Sequence, residues 1–462
     1  MVRLRPYQEA AVQSLRQAYM TGAAAPLLCA ATGSGKTVVF SAVALGAYGK
    51  GNRVLILAHR AELIRQASNK LRDAGVPHGI IAPGYPETDD MVQVGSVQTV
   101  ARRLARLPRF ALIVIDEAHH SVAGQYLAII KSQPQAKLLG VTATPERLDA
   151  RGLGIAAGGV FDRLVMGPQV AELVAAGYLT PTRVWAPVTG PDLSAVRTIA
   201  GDYDARQLAA AMDKAAITGD AVLHYARHAP GLPCIAFCVS VQHAKDVAEA
   251  FRAAGWRAVA AHGEMRPAER DAALGGLAHG SVQVVCAADL ISEGLDVPAV
   301  GCVTLLRPTQ SLSLHLQQIG RGLRPMPDKT HLVVLDHANN TAAHGFAETP
   351  RQWSLEGRRH RRAVPAIRQC PACYAVFPPQ HRCPCCGHEF TAAASSPREV
   401  ERRAGELAEL RPEDVQLKRT SLDALLAEAH SLHDMHNLAH QLGYKPGWAW
   451  MQWQRRLQRR AA

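Results

Sequence analysis

Short runs of uninterrupted apolar residues alternate along this chain with longer stretches in which apolar positions recur every three or four residues. Over residues 1–150 the runs are PLLCA, RVLILA, ALIVIDEA and AKLLGVTAT, each ending in polar or glycine-rich residues. A run that is apolar at every position reads as a strand buried on both faces. Between the runs the spacing predicts helices, one after Lys36 and one from Ala61 to Ala74. Strands alternating with helices predict an α/β fold with a parallel sheet covered on both sides. After Pro145 the pattern lapses. PQVAELVAAGYLTPTRVWAP and the polar stretch to Ala215 read as a connector. A second series follows, PCIAFCVS, RAVAAHG, VQVVCAADL, AVGCVTLLRP and HLVVLDHA, and predicts a second parallel-sheet domain. The two halves share an architecture and no clear sequence repeat.

The expected organisation is a first domain over 1–165, a connector over 166–215 and a second domain over 216–345. A basic linker over 346–369 contains RRHRRAVPAIR, a cysteine-rich module spans 370–390, and 397–462 reads as a helical basic tail. A length of 462 residues fits this division. No apolar run approaches the roughly 20 residues of a membrane span, so no membrane partner is expected. The opening MVRLRPYQEA lacks the apolar stretch of a secretory signal, and the expectation is a soluble, cytoplasmic protein.

Charge and cysteine placement sharpen the picture. The net charge of +12 favours a polyanionic partner such as nucleic acid. Residues 351–462 hold 18 Lys+Arg against 11 Asp+Glu, so +7 of the +12 lies on a quarter of the chain. Cys29, Cys234, Cys238, Cys286 and Cys302 sit singly in apolar runs and read as small core residues. The other five fall between Cys370 and Cys386, a cluster that points to metal rather than disulfides.

The apolar run at residues 26–30 leads into ATGSGKT, residues 31–37. A strand that turns through glycines into a helix presents backbone N–H groups to an anion. Thr32, Gly33, Ser34 and Gly35 form that turn, Lys36 can reach β- and γ-phosphates, and the Thr37 hydroxyl can ligate Mg²⁺. The strict phosphate-loop pattern has glycine at position 30, where this chain has Ala30. Downstream, LIVIDEAHH ends a strand in two carboxylates. Asp116 is suited to hold Mg²⁺ and Glu117 to polarise an attacking water, and phosphoanhydride hydrolysis needs both roles.

ATGSGKT, DEAH (116–119) and TATP (142–145), in this order, resemble the first motor domain of superfamily 2 helicases. The resemblance covers about residues 1–340 and implies two RecA-like domains and ATP hydrolysis coupled to nucleic acid. LRPYQ (4–8) resembles the family's adenine-recognition segment, which implicates Arg5 and Gln8. LAHRAELIRQ (57–66) and VGSVQTV (94–100) resemble segments that contact the nucleic-acid backbone, and AHGEM (261–265) resembles a further contact loop or is a solvated turn. CAADLISEGLDVP (286–298) and QQIGRGLRP (317–325) match the last two family motifs. Arg321 and Arg324, three apart, would share one face if this stretch is helical. The resemblance makes them the cations that meet charge developing on the γ-phosphate, with Gln317 as its sensor. Gly294 and Asp296 lie where the family couples nucleotide to strand, and His119, Thr142 and Thr144 are expected to couple the halves. Ala288 replaces a usual threonine, and His120 reads as structural.

CPAC (370–373) and CPCCG (383–387) are two knuckles whose Cys-x₂-Cys pairs have the bite of tetrahedral Zn²⁺. Cys370, Cys373, Cys383 and Cys386 are the expected ligands of a structural zinc ribbon, leaving Cys385 spare. In the tail, Trp448, Trp450 and Trp453 adjoin Arg455, Arg456, Arg459 and Arg460, a pattern that suits stacking on unpaired bases or packing on the body. With YKPGWA (444–449), the ribbon resembles that of RadD-type DNA-repair helicases, including shortened phage relatives. The reading is an ATP-dependent DNA helicase or translocase, with DNA favoured over RNA. A repair or single-strand-binding protein is the candidate partner of the ribbon or tail. The alternatives are a nucleotide-controlled DNA-binding adaptor, an RNA helicase, and a restriction-type motor subunit.

Overall fold

The computed structural model describes residues 4–147, 151–186, 196–199, 202–212, 215–288, 300–357, 368–370, 372–373, 375–378, 380–389 and 453. The first half runs α1 (Pro6–Met20), β1 (Pro26–Cys29), α2 (Lys36–Tyr48), β2 (Val54–Ala58), α3 (Ala61–Asp73), β3 (Gly79–Ile81), β4 (Val92–Ser96) and α4 (Val97–Arg102). It continues through β5 (Leu112–Asp116), α5 (Gly124–Ser132), β6 (Lys137–Thr142) and β7 (Arg163–Met166). The seven strands form one parallel sheet in the order β3-β4-β2-β5-β6-β1-β7. Successive strand residues feed opposite faces. Val54 and Ile56 join a cluster with Leu15, Phe40 and Leu71, whereas Leu55 and Leu57 join one with Phe110, Tyr126 and Phe161. Two buried faces require apolar residues at every strand position, which is the pattern read above.

The second half contains α6 (Val170–Ala175), β8 (Thr182–Trp185), β9 (Thr198–Ile199), β10 (Asp202–Tyr203), α7 (Ala205–Met212), α8 (Ala215–His228), β11 (Cys234–Cys238), α9 (Val241–Ala253) and β12 (Ala258–His262). After these come α10 (Pro267–His279), β13 (Val284–Ala288), β14 (Cys302–Leu305), α11 (Leu312–Gly320), β15 (Leu332–Asp336), α12 (Asn340–His344), β16 (Arg368–Gln369) and β17 (Ala375–Phe377). Its main sheet has the order β12-β13-β11-β14-β15-β8-β17-β16. The stretch 166–215 is therefore more than a connector, because β8 pairs parallel with β15 and buries Val184 and Trp185. The cysteine module grows from the same edge through β17, antiparallel to β8. The five single cysteines are buried, as their apolar surroundings implied.

The two sheet domains, here called lobes, touch through side chains from both. Arg270 on α10 pairs with Glu62 on α3, and Arg65 pairs with Asp271 at 3.1 Å. Part of the stretch read as a linker is a packed strap. Glu348 accepts from the Thr182 amide at 2.7 Å and from its hydroxyl at 3.0 Å. The Arg351 amide donates to Gln169 Oε1 at 2.7 Å, and the Arg351 guanidinium donates to the carbonyls of His344, Phe346, Ala347 and Thr349. Leu355 then packs on the first lobe and accepts from the Gly154 amide at 2.8 Å. A Cβ on Gly152 would lie 1.8 Å from Leu355 O, so only glycine admits the strap there.

Candidate functional site

The site gathers at the carboxyl ends of β1, β5 and β6, the usual location of ligands in parallel sheets. After β1 the chain turns through Gly33 (φ 85°) and Gly35 (φ 79°) and enters α2 at Lys36. Those angles are left-handed and suit glycine. The amides of Lys36 and Thr37 precede the helix's own hydrogen-bond ladder and face outward with the positive end of its dipole. Gln8 braces the turn from α1. Its Nε2 donates to Ser34 O at 3.1 Å, while its Oε1 accepts from the Arg5 amide at 3.0 Å. The Tyr7 hydroxyl also donates to Ser34 O, at 3.0 Å. A Cβ on Gly35 would meet Gln8 Nε2 at 2.5 Å. The departure at Ala30 has a local compensation: a Cβ on Gly167 would lie 2.7 Å from the Ala30 Cβ, so the missing side chain of one makes room for the other. The Thr32 and Ser34 hydroxyl oxygens are buried with no hydrogen-bond partner among the described residues, and so are available to a ligand.

The acidic pair lies beside this turn. Asp116 ends β5, is 5% exposed, and accepts from the Glu117 amide at 3.0 Å. Burial first, and then the Glu117 carboxylate, push Asp116 up to about 7, against the pull of the Lys36 ammonium. A buried carboxylate and a threonine hydroxyl at a helix start are hard oxygen donors, the kind that Mg²⁺ takes. Glu117 takes a left-handed conformation at φ 48° that is uncommon outside glycine and re-aims the chain at the strand end. Its Oε2 lies 3.4 Å from His119 Nδ1, which in turn lies 3.4 Å from Thr142 Oγ1. The Thr142 hydroxyl donates to Thr144 O at 2.9 Å, so His119 Nδ1 is the donor of the 3.4 Å contact. His120 lies between His59 and His119, with ring centroids at 4.4 and 4.2 Å and the rings tilted at 58° and 42°, a packing role in keeping with its structural reading.

From the second lobe, α11 reaches the same turn. A Cβ on Gly320 would lie 2.3 Å from Thr32 Cγ2, so the helix end rests on the phosphate turn. The premise that Arg321 and Arg324 share a helix face is corrected: α11 ends at Gly320, and the arginines occupy the turn after it. Gln317 is buried on the last turns of α11. Arg5 stacks over Tyr178 at 5.0 Å, and Tyr7 meets the same ring edge-on at 4.9 Å. Tyr7, Tyr178 and Ser313 were missed by the sequence reading. Tyr7 sits inside the quoted LRPYQ and was the one within reach of it. Gly294, Asp296, Trp448 and Trp450 lie outside the described residues, as do Arg455, Arg456, Arg459 and Arg460.

The second centre is the cysteine module. The sulfurs of Cys370, Cys373, Cys383 and Cys386 all lie within 4.8 Å of one another, with 3.6 Å between Cys370 and Cys386 and between Cys373 and Cys383. Ligands of a tetrahedral Zn²⁺ at about 2.3 Å stand about 3.8 Å apart, so the four sulfurs fit that ion. Cys385 is exposed and outside the cluster. No helix among the described residues is long and apolar enough to cross a membrane.

Residues 1–147 match the family model described as the res subunit of type III restriction enzymes, and residues 214–326 match the helicase conserved C-terminal domain. A 51.5 kDa protein of a Lactococcus phage (isolate 7-9) is 34% identical over 392 residues, 84% of this chain and 82% of that protein. A Saccharomyces cerevisiae protein, IRC3, assigned by name as an ATP-dependent helicase, is 31% identical over 72% of this chain, which spans only 51% of its length. In fold, a fragment assigned to the HsdR subunit of a type I restriction enzyme from Vibrio vulnificus YJ016 superposes with a TM-score of 0.58 at 22% identity, over 74% of this chain and 67% of that one. The type ISP restriction-modification enzyme LlaBIII, solved bound to DNA, gives 0.53 at 18% identity, over 72% of this chain and 27% of that one.

Proposed function

Since this chain belongs to the superfamily 2 helicases and is an ATP-dependent nucleic-acid enzyme, we propose that it is a motor that moves on or remodels DNA in repair or recombination. The observation that carries the reading is the approach of Gly320 on α11 to Thr32, which brings the second lobe against the turn proposed to hold the nucleotide. In this reading the turn from Thr32 to Gly35 cradles the phosphates and Lys36 neutralises them. Thr37 and Asp116 would hold Mg²⁺, which supplies charge neutralisation at the β- and γ-phosphates. Glu117 orients the attacking water and takes its proton, and Arg321 and Arg324 meet the charge that builds on the γ-phosphate. Arg5 and Gln8 face the base side, and Gln317 senses the phosphate. Gly294 and Asp296 belong to the coupling segment. ATP bridges the lobes, and hydrolysis frees them to move against each other along the strand.

The preference for DNA over RNA rests on the match to restriction-enzyme families and on the ribbon's resemblance to DNA-repair helicases. The same match favours one second reading, a restriction-type motor whose cutting partner is another chain. The zinc ribbon and basic tail are the proposed docking points for a repair or single-strand-binding protein. The test is steady-state ATP hydrolysis with single-stranded, duplex and forked DNA and with RNA, using Lys36→Ala as the blank. Stimulation by a DNA form supports the proposal and names its track. Stimulation by RNA alone refutes the DNA assignment. ATP binding with no stimulation by any of them points to the nucleotide-controlled adaptor.

A further inference from the structure

We propose that Lys329 is a positioning residue for Arg321 and Arg324, holding the turn that carries them against the second lobe; this rests on reading those arginines as the cations that face the reacting phosphate. The chain leaves α11 at Gly320, and the carbonyls of the following turn have no helical partner. Three of them are bound from outside. The Thr180 amide donates to Leu323 O at 2.8 Å. Lys329 Nζ donates to Arg324 O at 2.9 Å and also to Gly322 O, and its third bond goes to Val300 O at 2.8 Å. Three carbonyls use the full donor capacity of an ammonium, and its charge also complements the negative end of α11.

The surroundings leave the turn little freedom. A Cβ on Gly322 would lie 2.4 Å from Leu332 Cδ1, so β15 presses the turn from the other side, and Leu323 is buried beneath it. Lys329 is itself delivered by a reverse turn in which its amide donates to Met326 O at 3.3 Å and Asp328 takes φ 61°. Burial pulls Lys329 down to about 8. Among the described residues, His331 ahead of β15 is the titratable group that feels Lys329: it is lowered by burial and then by Arg183 and Lys329. A neutral amine has two donors, so loss of the proton releases one of the three carbonyls.

The experiment compares kcat, ATP affinity and melting temperature for Lys329→Met, Lys329→Arg, Arg321→Ala, Arg324→Ala and the double variants with Lys329→Met. The expected result is a kcat loss in Lys329→Met of roughly 10-fold to 100-fold, part of the ~10³–10⁵ an arginine finger supplies, with ATP affinity kept. Lys329→Met should add nothing once the arginines are removed, because groups acting through one another are not additive. In the parent, release of one carbonyl as Lys329 loses its proton should lower the rate above about pH 8; Lys329→Arg should restore part of kcat and remove that expected fall, since arginine keeps its charge there. An unchanged kcat in Lys329→Met, or losses that multiply in the double variants, overturns the proposal. If Lys329→Met does not fold, Lys329→Arg decides it: a descending limb left where it was is also fatal. If Arg321→Ala and Arg324→Ala themselves keep full activity, the arginine reading fails whatever Lys329 does.

Discussion

The Thr144 hydroxyl donates to Ser313 Oγ at 2.7 Å, joining the loop after β6 in the first lobe to α11 in the second. Thr144 is also tied to Thr142, whose hydroxyl meets His119 beside Glu117. A continuous run of contacts thus links Glu117, through His119, Thr142 and Thr144, to Ser313 in the other lobe. Thr144→Val keeps the shape and removes the donor. The expected outcome is unchanged ATP binding and a loss of roughly 5-fold to 10-fold in nucleic-acid-stimulated hydrolysis, the scale of one hydrogen bond of ~1 kcal/mol. Rates with and without DNA check it, and equal stimulation in variant and parent would sink it.

Gly35→Ala places a methyl group on Gln8 Nε2 at a left-handed backbone position. ATP affinity should fall by about 100-fold or more, two unfavourable effects of ~1–2 kcal/mol each acting at one residue. Gln8→Ala removes the clashing atom but also the brace and the base contact assigned to Gln8, so the double variant should stay weak, and by less than the product of the two single losses. Titration with a fluorescent ATP analogue measures all three.

The cysteine module should hold one zinc per chain. Cys373→Ser should release it and lower the melting temperature, because β17 is anchored next to two of the ligands. Cys385→Ser should leave the metal in place. Metal analysis of both variants separates a four-sulfur site from an adventitious one, which would survive Cys373→Ser.

Glu62 and Arg270 pair across the lobes with side chains only 18% and 12% exposed. Removing either leaves a mostly buried charge, so each single alanine variant should lose stability. The coupling energy in a double-mutant cycle should be about 1–3 kcal/mol. Chemical denaturation of the four proteins provides it, and additive losses would exclude a direct pair.

His315 and His337 are both pushed down to about 3, first by burial and then by the neighbouring imidazoles of His344 and His224 respectively. In the unfolded chain each titrates near the ordinary histidine value of about 6.5. Between those values the unfolded state binds the extra proton, so stability is complete above about pH 6.5 and falls as pH drops towards 3, by up to ~1.4 kcal/mol per pH unit for each histidine. Denaturation midpoints from pH 7 to pH 4 should show this slope, and His337→Gln should reduce it.

The strands of both sheets were legible because a strand covered on both faces must be apolar at each position, as in Leu112–Asp116 and Leu332–Asp336. The phosphate turn, the carboxylates and the four cysteines were legible for another reason: each set is contiguous or nearly so, and its spacing reflects its own chemistry. Partnerships across long separations were not. Nothing local marks Ser313 as the acceptor from Thr144, or Gly167 as the space that admits Ala30. The strand Thr182–Trp185 was hidden because two of its four residues are polar or charged, although it lies inside the sheet between β15 and β17. The shared face of the arginine pair held only if their stretch was helical, and the spacing of three could not show that α11 stops at Gly320.

The strap from Glu348 to Leu355 bears on how the lobes can turn. Two rigid bodies joined by a single flexible thread keep three rotations. Here the chain passes from the first lobe to the second near Gln169, returns beside that point at Arg351 to reach Gly154, and enters the second sheet again at Arg368. Attachments set side by side act as the pins of a door: swing about their common line survives, while torsion across it is resisted. For the proposed motor, this arrangement would favour swing about that one line over twisting as nucleotide binds and leaves.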